Sequence, residues 1–379
     1  MNYIHTITMK TNRLNLKLLI SLFLFFIISI LSIYATRVFV KIELKNLYLK
    51  QIIFYFIGSC FLLFTTFKGF SLLKKYNFLI YIGINILLLS LLFFGVSING
   101  SKCWFYIGSF SFQPSELMKI SLIITLSITI SKFKKKKKIT RKDEFVLLLK
   151  LLTLTLIPSL LTFLEPDTGV VIIYFLILFT FFLFLKLDKV WYITFFTTLI
   201  LFIGITLYLY FFKQDTFISL IGQDMFYRID RVLFWMNSSG YQLENSLIAI
   251  ASSGLFGFGY LKNPVYFPES YTDFIFTTWT SNFGFLGAIF LIFIILVFDT
   301  SILRLTLKKI ILTDKYIILG IFIMLFYGQI QNIGMTIGLL PITGIPLPFI
   351  SYGGTSLISY LFIIGIILNI NYESIKYRN

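Results

Sequence analysis

The chain has 379 residues, of which 58% are hydrophobic and only 13% charged, and its mean hydropathy is +0.91. Soluble globular proteins are roughly a quarter charged, so a soluble enzyme is excluded. A nucleic-acid partner is not expected either, because most of the net charge of +17 lies in short segments between apolar blocks.

Blocks of about 20 apolar residues are long enough to cross a bilayer as helix. Ten are predicted in chain order, near 18–36, 51–67, 78–97, 115–131, 145–164, 169–185, 190–212, 274–298, 315–337 and 353–370. The alternation of a membrane β-barrel is missing. The expected fold is therefore an all-α polytopic membrane protein of about ten spans. The stretch Met1–Lys17 lacks a cleavable-signal pattern, so the first span is expected to stay as an anchor. No soluble segment is long enough to fold alone, and residues 1–379 read as one integral membrane domain.

An even number of spans puts both termini on one side. The connecting segments of that side hold 21 lysines and arginines against nine on the other, with eight inside 132–144. Positive charge marks the cytoplasmic side, so both termini are expected there. Arg37, Lys41, Lys45 and Lys50 run against this rule. The outer face then collects segments 37–50, 98–114, 165–168, 213–273 and 338–352. The fourth is one large extracytoplasmic loop between spans 7 and 8. The run Lys134–Lys138 is a topological signal, with an anionic-lipid contact as the alternative.

Unusual residues concentrate in the outer segments. Trp104 precedes SFSFQPSELMKI, where Gln113, Pro114 and Ser115 open a span and Ser115 is placed to satisfy free amides. Glu116 and Lys119, three apart, share a helical face and can pair; they either fix helix packing or line a polar cavity. Next, Glu165-Pro166-Asp167-Thr168-Gly169 makes a tight turn. Asp167 and Thr168 can cap the following helix, and Gly169 allows close packing. Two acids here could alternatively hold a divalent cation.

In the large loop, Arg228 and Arg231 are spaced to face a phosphate together, or to anchor at the membrane surface. Residues 241–254 read as a short interfacial helix with apolar positions 243, 247, 250 and 251, ended by Gly254. Glu269, Thr272 and Asp273 then lead into the eighth span. Asp273 sits where a carboxylate is poorly solvated on one side, which raises its pKa toward that of a useful base; it or Thr272 could instead cap the helix. Finally, 338–356 packs Pro341, Pro346 and Pro348 among four glycines and cannot form a regular helix. Irregular backbone at membrane depth lines a cavity or is buried in protein. A re-entrant loop walling the Asp273 cavity is expected, with Pro346, Pro348, Ser351, Tyr352, Gly353 and Gly354 as candidate contacts.

The stretches FQPSELMKI, EPDTGVVI, YQLENSLIAIASSGLFGFG, PESYTDFIF and NIGMTIGLLPITGIPLPFISYGGTSLI resemble, in order, those of the RodA/FtsW (SEDS) family of bacterial peptidoglycan polymerases. The last looks closer to the RodA branch. The resemblance implies a ten-span protein of the cytoplasmic membrane that polymerises lipid II into glycan strands at its outer face. It also implies a class B penicillin-binding protein as transpeptidase partner, within the elongation or division machinery. In the family the acid of the TDFIF segment is catalytic, which is Asp273 here. Glu116 and Lys119 match the polar pair lining the cavity, and the YQLEN segment brings in Asn245. Arg228, Arg231 and Lys119 are candidates for meeting the pyrophosphate, with a divalent cation, Mg or Mn, as a further source of charge; no metal ligands are assigned. The chain departs from the family at Asn245, at Ala251–Gly254, at Cys103, and at Ser281 and Asn282, where one or two glutamates are usual. The alternative activity is transport of the same lipid-linked precursor, using Glu116, Lys119 and Lys150 along a path. A scaffold role would leave the outer acids unexplained.

Overall fold

The computed structural model describes residues 15–39, 44–98, 101–108, 110–223, 226–227, 240–307 and 311–376. Each predicted apolar block is a helix: α1 Leu16–Ala35, α2 Leu47–Phe64, α3 Asn77–Phe94, α4 Pro114–Lys134, α5 Arg141–Leu164, α6 Thr168–Phe184 and α7 Lys189–Phe212. After these come α8 Gln214–Ile221, α9 Tyr241–Ser252, α10 Ile275–Leu307, α11 Leu312–Thr336 and α12 Gly354–Lys376. Eight helices among the described residues are long and apolar enough to cross a membrane. The other two on the expected list are α4, which carries Glu116 and Lys119 inside its first two turns, and α6, only 17 residues long.

The all-α expectation needs one correction. Residues 96–112 form a small antiparallel sheet, β1 Val96–Ile98, β2 Ser101–Ile107 and β3 Phe110–Phe112, with Val96 opposite Trp104 and Phe105 opposite Phe112. Aromatic and β-branched residues suit a half-buried pleated surface. No apolar block long enough to span a bilayer lies between α3 and α4.

Side-chain contacts define two ends of the bundle. At one end Lys74 pairs with Asp314 at 2.6 Å, Arg141 with Asp188 at 2.6 Å, and Tyr316 reaches the carbonyl of Phe184. This end carries the exposed lysines 135–138 and the capping box of α5, in which Thr140 and Asp143 satisfy one another's amides. At the opposite end lie the sheet, the 165–167 turn, the 253–274 segment and the irregular stretch 337–353.

That irregular stretch is held deep among the helices. Ser29 of α1 donates to the carbonyl of Ile350 at 2.8 Å, Gln51 of α2 donates to that of Ser351 at 3.1 Å, and Tyr55 donates to that of Phe349. Gln51 also accepts from the amide of Gly353. Non-helical backbone in a membrane protein needs such internal partners, since lipid offers none. Phe349, with its ring stacked on Phe25 and edge-on to Phe298, has positive φ.

α10 is broken at Gly284, where φ is 69° and ψ −165°. The amides freed beyond the break are caught by the preceding segment: Phe285 donates to Gly254 at 3.0 Å and Leu286 to Leu255 at 3.2 Å. Phe258 donates in turn to the carbonyl of Ser281 at 2.9 Å. The stripe that buries α9 is Leu243, Ser246 and Ala249, not the predicted 243, 247, 250 and 251. Ser246 explains the difference, because its hydroxyl meets Thr277 at 2.6 Å and the carbonyl of Thr336 at 2.9 Å, turning that face onto α10 and α11.

Candidate active site

Two polar groups meet across the irregular stretch. The first is built on the start of α4 and the 165–167 turn. Glu116 and Lys119 pair at 2.7 Å, almost completely buried at 3% and 2% exposure. Ser359 of α12 donates to the other Glu116 oxygen at 3.2 Å, and the Lys119 ammonium lies 5.5 Å from the Tyr360 ring centre. Gln113, just before α4, donates to Asp167 at 2.9 Å, and its own amide donates to Thr355. Asp167 caps α6 by accepting from the Val170 amide, whereas Thr168 is already the first helical residue. Ser115 does not serve as the expected cap of α4: its hydroxyl is buried without a partner among the described residues.

Glu165, one of the two acids offered above as cation ligands, is fully buried, and neither carboxyl oxygen has a partner among the described residues. Burial, then the neighbouring Asp167, pushes its carboxyl up to about 8. Burial likewise raises Asp167, against the pull of the Val170 amide.

The second group is the turn 269–273 with the irregular stretch folded over it. Glu269 has positive φ and accepts from the Thr272 hydroxyl at 2.7 Å, and its carbonyl accepts the amides of Thr272 and Phe274. Thr272 therefore does not cap α10. No described residue hydrogen-bonds the Asp273 carboxylate, so Asp273 is no cap either. Burial, then the charge of Glu269, pushes its carboxyl up to about 7. Ser351 donates to the Thr272 carbonyl at 2.6 Å while accepting from the Leu347 amide, and the Tyr352 amide donates to Tyr271. Tyr352 also packs on the rings of Tyr271 and Phe54.

The tip of the stretch joins the two groups. A Cβ placed on Gly344 would lie 3.8 Å from Asp273 Oδ2, and one on Gly169 would press on Ile345 at 3.0 Å and the Thr343 carbonyl at 3.1 Å. Residues 343–345 are thus wedged between Asp273 and the start of α6. Pro348 packs against Gly328 of α11, and Pro346 is half-buried.

Asn332 of α11 was not foreseen. Fully buried, it donates to the carbonyls of both Asp273 and Ile345 at 2.9 Å, bolting the acid to the wall that faces it. An amide within an apolar span is the available sequence signal, and Gln51 carries the same one.

Several predicted contacts fall elsewhere. Trp104 is half-buried in β2, Asn245 half-buried on α9, and Gly353 and Gly354 form the entry to α12. Arg228 and Arg231 lie outside the described residues. Lys119 was expected to be available for an anionic leaving group, but its charge is already answered by Glu116. Ser281 and Asn282, where glutamates were usual, are structural. Asn282 accepts from the Leu261 amide at 2.9 Å, and Ser281 accepts from Asn263 at 2.8 Å. Among the described residues no group of three His, Cys, Asp or Glu side chains is arranged to hold a metal.

Beneath the first group an apolar groove of about 610 Å³ lies among α2, α3, α4 and α12, lined by Phe61, Ile84, Leu117, Ile124 and Phe362. Thr355 and Ser359 form part of its wall, so the groove adjoins the Gln113–Glu116 cluster.

Removing one partner of a buried ion pair leaves a charge without compensation, at about 3–5 kcal/mol. Lys119→Met is expected to lose that much stability, and Glu116→Gln combined with it to recover most. Thermal unfolding of the single and double variants checks this; a single variant as stable as the wild type would contradict it.

Fold and site together define a polytopic membrane protein whose polar centre is assembled at one end of the helical bundle from irregular segments. The chain matches the family profile described as "Cell cycle protein", covering FtsW, RodA and SpoVE, over residues 13–376. It is 35% identical over 373 residues to "Probable peptidoglycan glycosyltransferase FtsW" of Wigglesworthia glossinidia brevipalpis, covering 92% of this chain and 90% of that one. It is 31% identical over 297 residues, 73% of each chain, to "Stage V sporulation protein E" of Bacillus subtilis. The chain belongs to the FtsW/RodA/SpoVE family. Solved structures share its fold. One is a chain of "a peptidoglycan synthase complex", with a TM-score of 0.77 at 21% identity over 96% of this chain and 98% of that one. Another is Thermus thermophilus rod shape determining protein RodA, at 0.66 and 22% over 93% and 95%.

Proposed function

We propose that this protein is a peptidoglycan glycosyltransferase that polymerises lipid II into glycan strands at the outer face of the bacterial cytoplasmic membrane. The observation that carries this reading is Asp273, a poorly solvated carboxylate with no hydrogen bond from a described residue, facing the tip of the irregular stretch. In the proposed step the acceptor sugar's hydroxyl gives its proton to Asp273 and its oxygen attacks the anomeric carbon of the donor. The bond from that carbon to the pyrophosphate oxygen breaks, undecaprenyl pyrophosphate leaves, and the centre inverts. Arg228 and Arg231 are assigned to the leaving pyrophosphate. The Glu116–Lys119–Gln113–Asp167 cluster walls the sugar site, and the adjoining apolar groove receives polyprenyl chain.

The same proposal places all ten predicted helices across the bilayer as one unit, with both termini cytoplasmic and the loop near 213–273 outside. Its transpeptidase partner is a class B penicillin-binding protein. The relatives above bear glycosyltransferase, sporulation and rod-shape names, so the proposal is made at the level of the family reaction. Lys150, invoked for a transport path, is exposed on α5 and apart from the site.

The purified protein with its cognate transpeptidase, given lipid II, is expected to make glycan polymer. If it makes none while lipid II still crosses proteoliposome bilayers in its presence, it is a transporter of the precursor instead.

A further inference from the structure

Asp299 is the sole acidic residue of α10 and takes no part in the site described above. It is 4% exposed and faces α11, where Gln329 Nε2 donates to its Oδ1 at 3.2 Å. Its other oxygen, Oδ2, is buried without a partner among the described residues, and so is Oε1 of the same Gln329. No ion pair among the described residues involves Asp299. The next residue back along the helix, Phe298, is fully buried and packs edge-on against Phe25 and Phe349 at 5.3 Å.

An ionised carboxylate with one neutral donor is costly at membrane depth. It would also leave two acceptor oxygens, one on each joined side chain, with nothing to accept. A bare metal cation is a poor remedy, because hard cations take about six or more oxygens and this pair supplies two. One proton resolves both vacancies. With it on Oδ2, the acid O–H donates to Gln329 Oε1 while Gln329 Nε2 donates to Oδ1, and every polar atom of the two groups is satisfied.

We propose that Asp299 and Gln329 form a membrane-buried proton site, in which Asp299 is held as the neutral acid by a two-point acid–amide pair. The pair joins α10 to α11 three residues before Asn332, the amide that holds the carbonyls of Asp273 and Ile345. Asp299 is thus a positioning residue: it sets the register of the two helices that carry the outer acid and the wall facing it.

The decisive experiment is infrared spectroscopy of the purified protein in lipid nanodiscs at neutral pH, comparing wild type with Asp299→Asn. A carboxylic-acid carbonyl band present in the wild type and missing in the variant is expected; carboxylate bands in its place would overturn the proposal. Thermal unfolding supplies the second arm. Asp299→Asn keeps two hydrogen bonds to Gln329 and should melt near the wild type, while Asp299→Leu should melt several degrees lower. Adding Gln329→Leu to Asp299→Leu should recover part of that loss. An Asn variant as unstable as the Leu variant would sink the idea, as would wild-type stability that rises with sodium or potassium and loses this response in Asp299→Asn. Neither readout depends on glycan synthesis, so the proton site and the proposed activity can fail separately.

Discussion

Asp273→Ala is expected to lower glycan polymerisation by about 10²–10⁴-fold, the range for removing a positioned general base, without loss of fold. The fold should survive because no described residue hydrogen-bonds this carboxylate; the structural bonds of residue 273 run through its backbone carbonyl to Asn332. A variant that keeps full rate would remove Asp273 from the reaction. Its acidity makes a second check. A base must be ionised, and burial followed by the charge of Glu269 lifts Asp273 from an ordinary 3.8 to about 7. The rate should therefore climb with pH up to about 7 and level off above it.

The stability effect has the opposite sense. Between pH 3.8 and about 7 the folded protein binds a proton that the unfolded chain has released. Stability therefore falls as pH rises through that window. Above it the full cost is present, on the order of 1–2 kcal/mol once partial access to water is allowed for. Asp273→Asn removes the ionisable group and should be more stable than the wild type above pH 7 while being inactive. Melting curves of the two proteins across pH test this, and an Asn variant that melts lower throughout would contradict it. Strain near the site has the same character: Glu269 and Phe349 both hold positive φ in the segments around Asp273. Such conformations persist only where the surrounding structure imposes them.

Gly284→Ala is expected to be the most damaging single substitution for folding, by more than about 4 kcal/mol. Its backbone lies at φ 69° and ψ −165°, a region open essentially to glycine and costing other residues about 1–3 kcal/mol. There is also no room: an added Cβ would sit 2.3 Å from the Gly257 amide nitrogen and 2.4 Å from the Leu255 carbonyl oxygen. Both obstacles are backbone, so neither can rotate away. The break at Gly284 is also what lets Phe285 and Leu286 bond to Gly254 and Leu255. Restoring a continuous helix would release the 254–263 segment that leads to Glu269 and Asp273. Purified yield and melting temperature of Gly284→Ala measure the effect; a variant within a degree or two of the wild type would show that the break is dispensable.

The positions of the helices were legible in the sequence, because burying backbone in lipid demands about 20 apolar residues in a row and little else imitates that pattern. Family membership was legible too, carried by motifs such as PESYTDFIF and the proline- and glycine-rich 338–356. The pairing of Glu116 with Lys119 followed from helical spacing alone. What spacing could not supply is contact between distant segments. Nothing local says that Asn332 reaches Asp273, that Gln51 and Ser29 satisfy the backbone near residue 350, or that the 343–345 tip seats against Gly169. Ser115 was read as a cap and α9 by its apolar residues, yet the Ser115 hydroxyl has no partner among the described residues and α9 turns on Ser246. Asn332, Gln51, Ser29 and Ser246 are each placed by a partner tens to hundreds of residues away. Hydrophobic periodicity fixes where helices run, but the pairing of buried polar groups, which lipid cannot solvate, is decided only when the helices assemble.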